Sequence, residues 1–306
     1  SSTASNSRQG MRLTRRNSST LRRAGWVEKV NRLLETLFAY SSLLLLFAAA
    51  ASLSWLAGVL NPLELVSPRE EPDFYPKSSQ TVSCSTPPSR VLWLSFDGDA
   101  SDSSGYENHG FLAGGRFVEG VSGSAVKFKN VFGGYSGDYV SVAPSKSLCL
   151  SMGTVCAWVK PESFNGFDGV AHKGAKKDFS DECFSLQLDD GKPAFVLRDK
   201  QSNQAWVYAE EILPLREWSF VCASWGKRFV RVFVDGALSG EQPNYAGTPC
   251  IADAPLQAGT QLLEVYNEEY GRFGFNGAID ELMVWNYVLP PEEIHAFYSA
   301  QSAGQD

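Results

Sequence analysis

The stretch "FNGAIDELMVWNYVLPPEEI", Phe275–Ile294, joins an apolar, aromatic-ended segment to the start signal of a helix. Its first half has the β-branched and aromatic composition of a strand. In its second half, two prolines fit a first helical turn, and the two glutamates after them complement the helix dipole. The sequence therefore predicts that the chain closes with a strand and a short helix over "LPPEEIHAFYSA", 289–300.

Further short runs of strand composition precede this stretch and are separated by Gly, Asn, Asp and Pro. The run "FVRVFVDG", 229–236, alternates between two faces, and "DDGK", 189–192, supplies the Asp-Gly step of a tight hairpin turn. Because strands do not alternate with helices, the predicted fold class is all-β, an antiparallel β-sandwich. The predicted strands are 91–96, 124–128, 138–142, 153–160, 183–188, 193–198, 205–210, 218–225, 229–236, 261–265 and 277–286.

The order of several longer motifs carries a family resemblance. After "VLWLSFDGDASDSSGYENHG" come "GSAVKFKN", "DYVSV", "GTVCAWVKP", "CFSLQLDDGKPAFVL", "LREWSFVCASW", "RVFVDGALSG" and the closing stretch. From 90 to 299 the chain resembles the laminin G-like jelly rolls of the concanavalin A-like lectin/glucanase superfamily. The resemblance implies two antiparallel sheets packed face to face. It also implies a domain that binds glycans, proteins or lipids, although some relatives are glycosidases.

The N-terminal part predicts a membrane anchor. The uncharged apolar run Thr36–Leu63 exceeds the roughly 20 residues that span a bilayer. Residues 1–34 carry a net charge of +7 and residues from 61 onward a net charge of −13, so the positive-inside rule translocates the C-terminal part. The predicted organisation is a basic Ser/Arg-rich inner tail (1–35), a transmembrane helix acting as signal-anchor (36–61), a Pro-rich stalk (62–89), the jelly roll (90–300) and a C-terminal tail (301–306).

This topology predicts a single-pass membrane protein in contact with lipid through residues 36–61. Its N-terminus lies on the cytoplasmic or matrix side, and its large domain is extracytoplasmic, lumenal or intermembrane. The Arg- and Ser-rich start equally fits a mitochondrial or plastid targeting sequence. The acidic outer part excludes nucleic acid as a partner. The even number of cysteines after the membrane run predicts disulfides with the pairing open, buried free thiols being the alternative. They are Cys84, Cys149, Cys156, Cys183, Cys222 and Cys250.

Adjacent carboxylates, Asp280 and Glu281, raise the question of glycosidase chemistry. In a regular strand they point to opposite faces, whereas a retaining pair shares one side of a cleft. The enzyme relatives carry a pattern resembling E-I-D-x-x-E, and here Ala278 and Met283 stand where its two glutamates would be. No catalytic residue is predicted, the chain is not expected to be an enzyme, and a glycoside hydrolase is the least favoured hypothesis.

Metal binding is a second hypothesis for the acidic residues. Carboxylate oxygens suit calcium, and the family resemblance brings the loop of Asp102 beside the strand of Asp280. We therefore predict a structural calcium site at these two residues, with Asp97, Asp99 and Glu107 as weaker candidates. The alternative is a solvated acidic turn, with Asp280 bonded to backbone amides.

Ligand binding is predicted in the loops at the rim of the sandwich. Trp206 follows a polar turn and is the tryptophan least well explained as core, and "SFNGFDG", 163–169, supplies Phe164, Asn165 and Asp168. The favoured function is a membrane-anchored, non-catalytic recognition or adhesion module that binds glycan or protein. The alternative is an accessory structural subunit of a larger membrane complex.

Overall fold

A computed structural model describes residues 86–130, 137–174, 182–199, 203–245, 247, 253–261 and 273–303. The predicted inner tail, the membrane span and most of the stalk lie outside these residues, as do Cys84, Cys250 and most of the predicted strand at 261–265. Among the described residues, no helix has the length and apolarity needed to cross a membrane.

The described chain forms two antiparallel sheets and a closing helix, which confirms the all-β prediction. The eight-stranded sheet has the order β13-β12-β11-β6-β15-β4-β3, with β1 also pairing with β15, and the seven-stranded sheet has the order β10-β9-β8-β7-β14-β5-β2. The elements are β1 (Arg90–Leu94), β2 (Gly110–Ala113), β3 (Arg116–Glu119), β4 (Ser124–Lys129), β5 (Tyr139–Val142), β6 (Gly153–Ser163), β7 (Phe167–Lys173), β8 (Phe184–Asp189), β9 (Lys192–Arg198), β10 (Gln204–Tyr208), β11 (Ser219–Gly226), β12 (Phe229–Val234), β13 (Ala237–Pro243), β14 (Leu256–Ala258), β15 (Asn276–Trp285) and α1 (Pro291–Ser302).

The main core lies between the two sheets. Alternate residues of β8, β9 and β11 point into it, because successive side chains of a strand face opposite ways. Trp225 is fully buried there, with its ring centroid 5.0 Å from that of Phe184 and 5.3 Å from that of Phe195. The opposite faces of β8, β9 and β10 therefore remain available for polar and surface side chains.

A second apolar cluster lies between the eight-stranded sheet and α1. Ile294 of the helix is fully buried against Trp158, Phe220 and Met283. Pro291 occupies the start of α1 and two glutamates follow it, as the sequence predicted. A disulfide joins Cys156 of β6 to Cys222 of β11 within this cluster.

The disulfide prediction is thus confirmed for one pair. Cys149 and Cys183 are also disulfide-bonded. Most predicted strands coincide with observed ones, and Asp190 and Gly191 adopt the positive φ predicted for the hairpin turn, with values of 46° and 87°. The sequence did not predict β2, β3, β7, β13 or β14. In particular, residues 167–169, expected in a rim loop, begin β7.

The edge strand β10 is packed against β13 of the other sheet. The backbone amide of Glu210 donates to Ser239 Oγ at 2.9 Å. A Cβ at Gly240 would collide with the carbonyl oxygen of Tyr208, so the missing side chain permits this close approach. The contact fixes the backbone of β10, the strand that carries Trp206.

Candidate functional site

The two adjacent carboxylates lie on the same side of β15, which corrects the prediction of opposite faces. The register with β6 shifts between Asp280 and Met283, and Glu281 has a φ of +51°. Ile279 and Leu282 both enter the inter-sheet core, so the two residues between them turn towards α1. A β-bulge of this kind places two residues opposite one and breaks the alternation on which the prediction depended.

Asp280 serves as a backbone acceptor. Its Oδ2 accepts bonds from the amides of Val121 and Ser122 at 2.8 and 3.2 Å, and its Oδ1 accepts from the amide of Glu281 at 2.8 Å. Its side chain is fully buried. Burial raises the pKa of Asp280 to about 7, although the Ser122 and Val121 amides act in the opposite direction. The predicted alternative of an Asp280 bonded to backbone amides is the arrangement observed.

Glu281 is held by hydrogen bonds as Asp280 is. Its Oε2 accepts from Trp93 Nε1 at 2.8 Å and from Gln301 Nε2 of α1 at 3.1 Å. Gln301 in turn accepts from Trp158 Nε1 at 2.8 Å. Glu281 is 3% exposed, and burial is the main cause that raises its pKa. Glu281 therefore links the closing helix to the sheet through Gln301, whereas Asp280 holds the backbone at Val121 and Ser122.

Asp102 organises its own loop. It accepts four hydrogen bonds, from the amides of Trp93, Ser104 and Asn108 and from the Ser104 hydroxyl, at 2.7 to 2.9 Å. These donors occupy the lone-pair sites of both oxygens. The described residues contain no group of three or more His, Cys, Asp or Glu side chains able to hold a metal ion. Backbone and hydroxyl donors thus occupy both carboxylates, and a calcium shared by Asp102 and Asp280 stays a prediction from sequence.

The weaker calcium candidates are separate exposed groups. Asp97 accepts from the amide of Ser124 at 2.8 Å, and Asp99 accepts from the amide of Ser101 at 2.8 Å. The Ser101 backbone bond lowers the pKa of Asp99. Glu107 is exposed and has a φ of +58°. Two of the three carboxylates therefore accept hydrogen bonds from backbone amides.

Three of the four predicted ligand-binding residues hold the turn between β6 and β7. Asn165 donates through its amide and its side chain to Asp168, at 3.1 and 3.0 Å. Asp168 is fully buried, and burial raises its pKa to about 7. Phe164 packs on the inter-sheet core, against Gly191. The side chains of Phe164, Asn165 and Asp168 therefore make their contacts with other parts of the domain.

Trp206 has the setting of a binding residue. It is 40% exposed on the face of β10 turned away from the core, beside the 40%-exposed Tyr208, with ring centroids 6.1 Å apart and an interplanar angle of 18°. Phe167 approaches it edge-on at 6.3 Å and stacks on Phe273 at 6.0 Å. A surface cavity of about 290 Å³ opens among these rings. It is lined by Phe167, Glu182, Gln187, Val196, Arg198, Gln204, Trp206, Gln261 and Phe273. We call this the Trp206 cavity.

The charged side chains in the lining of the Trp206 cavity form an ion pair. Arg198 donates through Nε and Nη2 to Glu182 Oε2, at 3.0 and 2.8 Å. Glu182 Oε1 lies 3.7 Å from Nδ1 of the fully buried His172. Burial, with the positive charges of Arg198 and Lys173, lowers the pKa of His172 to about 3, so the imidazole is neutral. The wall of the Trp206 cavity therefore contains one carboxylate that is paired with one guanidinium.

Buried polar side chains continue from the cavity across the sheet. Trp206 pairs with Val196, Val196 with Ser185, Ser185 with His172, and His172 with Gln257, which places these side chains in one row across five strands. Ser185 Oγ, both His172 ring nitrogens and both side-chain atoms of Gln257 have no hydrogen-bond partner among the described residues. Buried polar groups without a hydrogen-bond partner are uncommon in folded proteins, and several of them lie together on this face of the seven-stranded sheet.

Carboxamides also line the Trp206 cavity. Gln187 Oε1 accepts from Gln261 Nε2 at 2.7 Å, while Gln187 Nε2 is buried and has no partner among the described residues. Gln204 Oε1 accepts from Trp206 Nε1 at 2.7 Å. Sequence reasoning identified Trp206 but missed these residues. The alternation of "CFSLQL" puts Ser185 and Gln187 on one strand face, and this was the signal in the sequence that could have identified them.

Comparison with known proteins gives one family match and several distant relatives. A family model described as the concanavalin A-like lectin/glucanases superfamily matches residues 132–295, more than half of the chain. Jeltraxin of Lepidobatrachus laevis is 21% identical over 174 residues, which are 53% of this chain and 70% of Jeltraxin.

Solved structures share the architecture. Domain 4 of AbnA, a GH43 extracellular arabinanase from Geobacillus stearothermophilus in complex with arabinotriose, matches with a TM-score of 0.54 and 19% identity, over 70% of this chain and 100% of that one. The botulinum neurotoxin serotype G binding domain matches with a TM-score of 0.55 and 13% identity, over 70% of this chain and 51% of that one. This chain thus spans about half of the neurotoxin domain, and identities at this level establish the fold alone.

Proposed function

This chain belongs to the concanavalin A-like lectin/glucanases superfamily, and from that premise we propose that it is a non-catalytic recognition module that binds a glycan or protein ligand at the Trp206 cavity. The observation that carries the proposal is the pair of half-exposed, nearly parallel rings of Trp206 and Tyr208 beside a cavity with polar walls. Ligand sites commonly combine aromatic walls with a few polar groups that fix orientation.

The recognition role accounts for the acidic pair better than hydrolysis does. Glycoside hydrolysis needs two carboxyl groups that flank an accessible bond. Asp280 and Glu281 are 0% and 3% exposed, and their oxygens accept bonds from the backbone and from the closing helix. A carboxylate pair in this position supports the fold. Of the similar solved structures, one is a neurotoxin binding domain and another is a domain in complex with arabinotriose, which agrees with a binding role.

Replacing Trp206 with alanine tests the proposal. With the purified full chain on a glycan array and on cells, we expect the wild type to be retained and Trp206→Ala to lose binding by about tenfold, because a stacked aromatic ring contributes about 0.5–1.5 kcal/mol beyond the area that it buries, and about 1.4 kcal/mol is a factor of ten. Tyr208→Ala is expected to weaken binding less. Val234→Ala, in strand β12 of the other sheet, is the matched control. It shows whether an alanine substitution elsewhere in the domain also reduces binding.

Two outcomes of this experiment differ in meaning. Binding that survives removal of surface glycans and still depends on Trp206 identifies a protein ligand, and the recognition role stands. Identical binding by the wild type and Trp206→Ala contradicts the proposed site.

The accessory-subunit alternative has its own support in exposed apolar side chains. Ile212, Leu215 and Leu238 are 60%, 45% and 50% exposed. Exposed apolar side chains mark a protein–protein interaction site where they form a contiguous patch. Purification in mild detergent separates the two functions: a stoichiometric complex favours the subunit, and a free chain retained on the array favours recognition. In either case, residues 36–61 are our proposed membrane tether, and they lie outside the described residues.

A further inference from the structure

The two exposed rings on β10 are held by hydrogen bonds at both ends of the pair. Trp206 donates through Nε1 to Gln204 Oε1 at 2.7 Å, and the Tyr208 hydroxyl donates to Asp189 Oδ2 at 3.0 Å. Gln204, Trp206 and Tyr208 are alternate residues of β10 and therefore share one face of that strand. Asp189 is the last residue of β8, the next strand but one in the sheet. Each ring thus has its polar atom bound to a side chain beside it.

Contacts between rings add to these hydrogen bonds. Trp206 and Tyr208 are stacked at 6.1 Å with an interplanar angle of 18°, and Phe167 of β7 approaches Trp206 edge-on at 6.3 Å. Stacked and edge-to-face arrangements are those that aromatic pairs favour. Rotation of the Trp206 side chain would break its bond to Gln204 and both ring contacts. The indole therefore has a defined orientation although Trp206 is 40% exposed.

The backbone beneath the rings is also held. β10 pairs with β9 along its whole length, from Gln204 to Tyr208, and the Tyr208 carbonyl lies against Gly240 of β13. Burial and the hydrogen bond to Asp189 raise the pKa of Tyr208, so its hydroxyl keeps the proton that it donates. Side chains that are already ordered lose little freedom when a ligand stacks on them, and this preorganisation increases affinity.

We propose that Asp189 and Gln204 are positioning residues of the Trp206 cavity, which hold Tyr208 and Trp206 in the orientation that receives the ligand. This inference rests on the recognition function proposed above and adds two residues to its site. Gln204 acts on the indole N–H of Trp206. Asp189 is not one of the described residues that line the cavity, and it acts through the Tyr208 hydroxyl and the stacked ring.

Replacing Asp189 tests the first of these roles. Asp189→Ala removes the acceptor and leaves both rings in place, so we expect retention of the full chain on the glycan array and on cells to weaken by about two- to tenfold, the cost of ordering a side chain on binding. Asp189→Asn keeps an acceptor oxygen and is expected to retain binding within about twofold. Glu211→Ala, which removes an exposed carboxylate from the loop after β10, is the matched control.

A double-mutant cycle assigns the effect to the bond between Asp189 and Tyr208. Tyr208→Phe keeps the ring, removes the donor, and is expected to weaken binding by about two- to tenfold, as Asp189→Ala does. In the Tyr208→Phe background, Asp189→Ala is expected to change binding by less than about twofold, because its partner is already absent. An undiminished loss in that background gives Asp189 a different role and overturns the inference.

Nuclear magnetic resonance of the free chain measures the positioning without any ligand. We expect the order parameter of the Trp206 indole N–H to be close to about 0.85, as in rigid backbone, and to fall below about 0.6 in Gln204→Met, which lacks the acceptor. Gln204→Glu keeps an acceptor oxygen and is expected to retain the wild-type value. Asp189→Ala is expected to lower the order parameter by a smaller amount. Equal values in the wild type, Gln204→Met and Asp189→Ala contradict the inference.

The two measurements separate this inference from the proposed function. Trp206-dependent binding that is unaffected by Asp189→Ala and Gln204→Met overturns the inference and leaves the recognition function intact. Absence of any Trp206-dependent binding overturns the proposed function, and the order parameters then still decide whether the two residues hold the rings. If Asp189→Ala does not fold, as judged by its circular dichroism, Tyr208→Phe tests the same hydrogen bond from its other end.

Discussion

Removal of the Cys156–Cys222 disulfide is expected to lower the free energy of unfolding by about 4 kcal/mol, the value that loop-closure entropy gives for a separation of 66 residues. The two cysteines face each other directly in the β6–β11 register and lie beneath α1. The cross-link therefore restricts the unfolded chain while it stabilises the sheet that supports the closing helix. Urea denaturation of the Cys156→Ala/Cys222→Ala variant measures the loss.

A control variant shows what a conservative change at another buried side chain of this cluster costs. Met283→Leu alters another buried side chain of the same cluster and should cost less than about 1.5 kcal/mol. If the double alanine variant also lost no more than that, the disulfide would contribute little to stability and this part of the account would be wrong.

The buried carboxyl of Asp280 should make stability depend on pH. Its pKa is raised to about 7 in the folded protein, from the ordinary value of 3.8. The folded state therefore holds a proton more tightly than the unfolded state. The resulting stability is fully present below about pH 4 and is lost as the pH rises through 7. Each pH unit within this window is worth about 1.4 kcal/mol for a fully shifted group.

Asp280→Asn isolates this contribution. Asparagine does not titrate, and its loss of one acceptor oxygen is a cost that is the same at every pH. We therefore expect the stability of the variant relative to the wild type to rise between pH 4 and pH 7, as measured by urea denaturation at several pH values. Asp253→Asn, at an exposed position, controls for the change in net charge. Parallel pH profiles for wild type and Asp280→Asn would falsify the buried-carboxyl account.

Other buried groups determine the pH profile of the wild type. Asp168, with its pKa also raised to about 7, has the same sign as Asp280. The pKa of His172 is lowered to about 3, so its contribution is present above pH 6.5 and is lost as the pH falls towards 3. The contributions of Asp168 and His172 are the same in the wild type and in Asp280→Asn, so they cancel when one stability is subtracted from the other. This difference therefore reports on Asp280 more directly than the wild-type curve does.

The sequence predicted the sandwich and its closing helix because their signals are local. Alternation in β8–β12 and the Pro-Pro-Glu-Glu start of α1 depend on neighbouring residues, and the structure confirms both. The short strands β2, β3 and β14 were missed because three or four residues carry too little periodicity. The bulge at Glu281 was missed for another reason: it is set by the pairing of β15 with β6, a contact distant in sequence.

The candidate site also depends on contacts between residues that are distant in sequence, which sequence analysis did not predict. Trp206 was identified from its position after a polar turn, and its exposure agrees with that choice. The partners that give the site its shape come from other strands: Phe167 from β7, Gln187 from β8 and Arg198 from β9. Only the order of the seven-stranded sheet brings them together. Asn165 and Asp168, chosen from the same sequence region, instead bond to each other.

The most direct test of the central claim follows tryptophan side chains by nuclear magnetic resonance during ligand addition. The indole N–H of Trp206 donates to Gln204 at the cavity, whereas those of Trp93 and Trp158 donate to Glu281 and Gln301 beneath α1. Trp206→Phe assigns the first signal by its loss. With the glycan or protein ligand that binds most tightly, we expect the Trp206 signal to shift and the other two to stay. A shift of the Trp93 or Trp158 signal with Trp206 unchanged would place the ligand at the acidic pair and contradict the account.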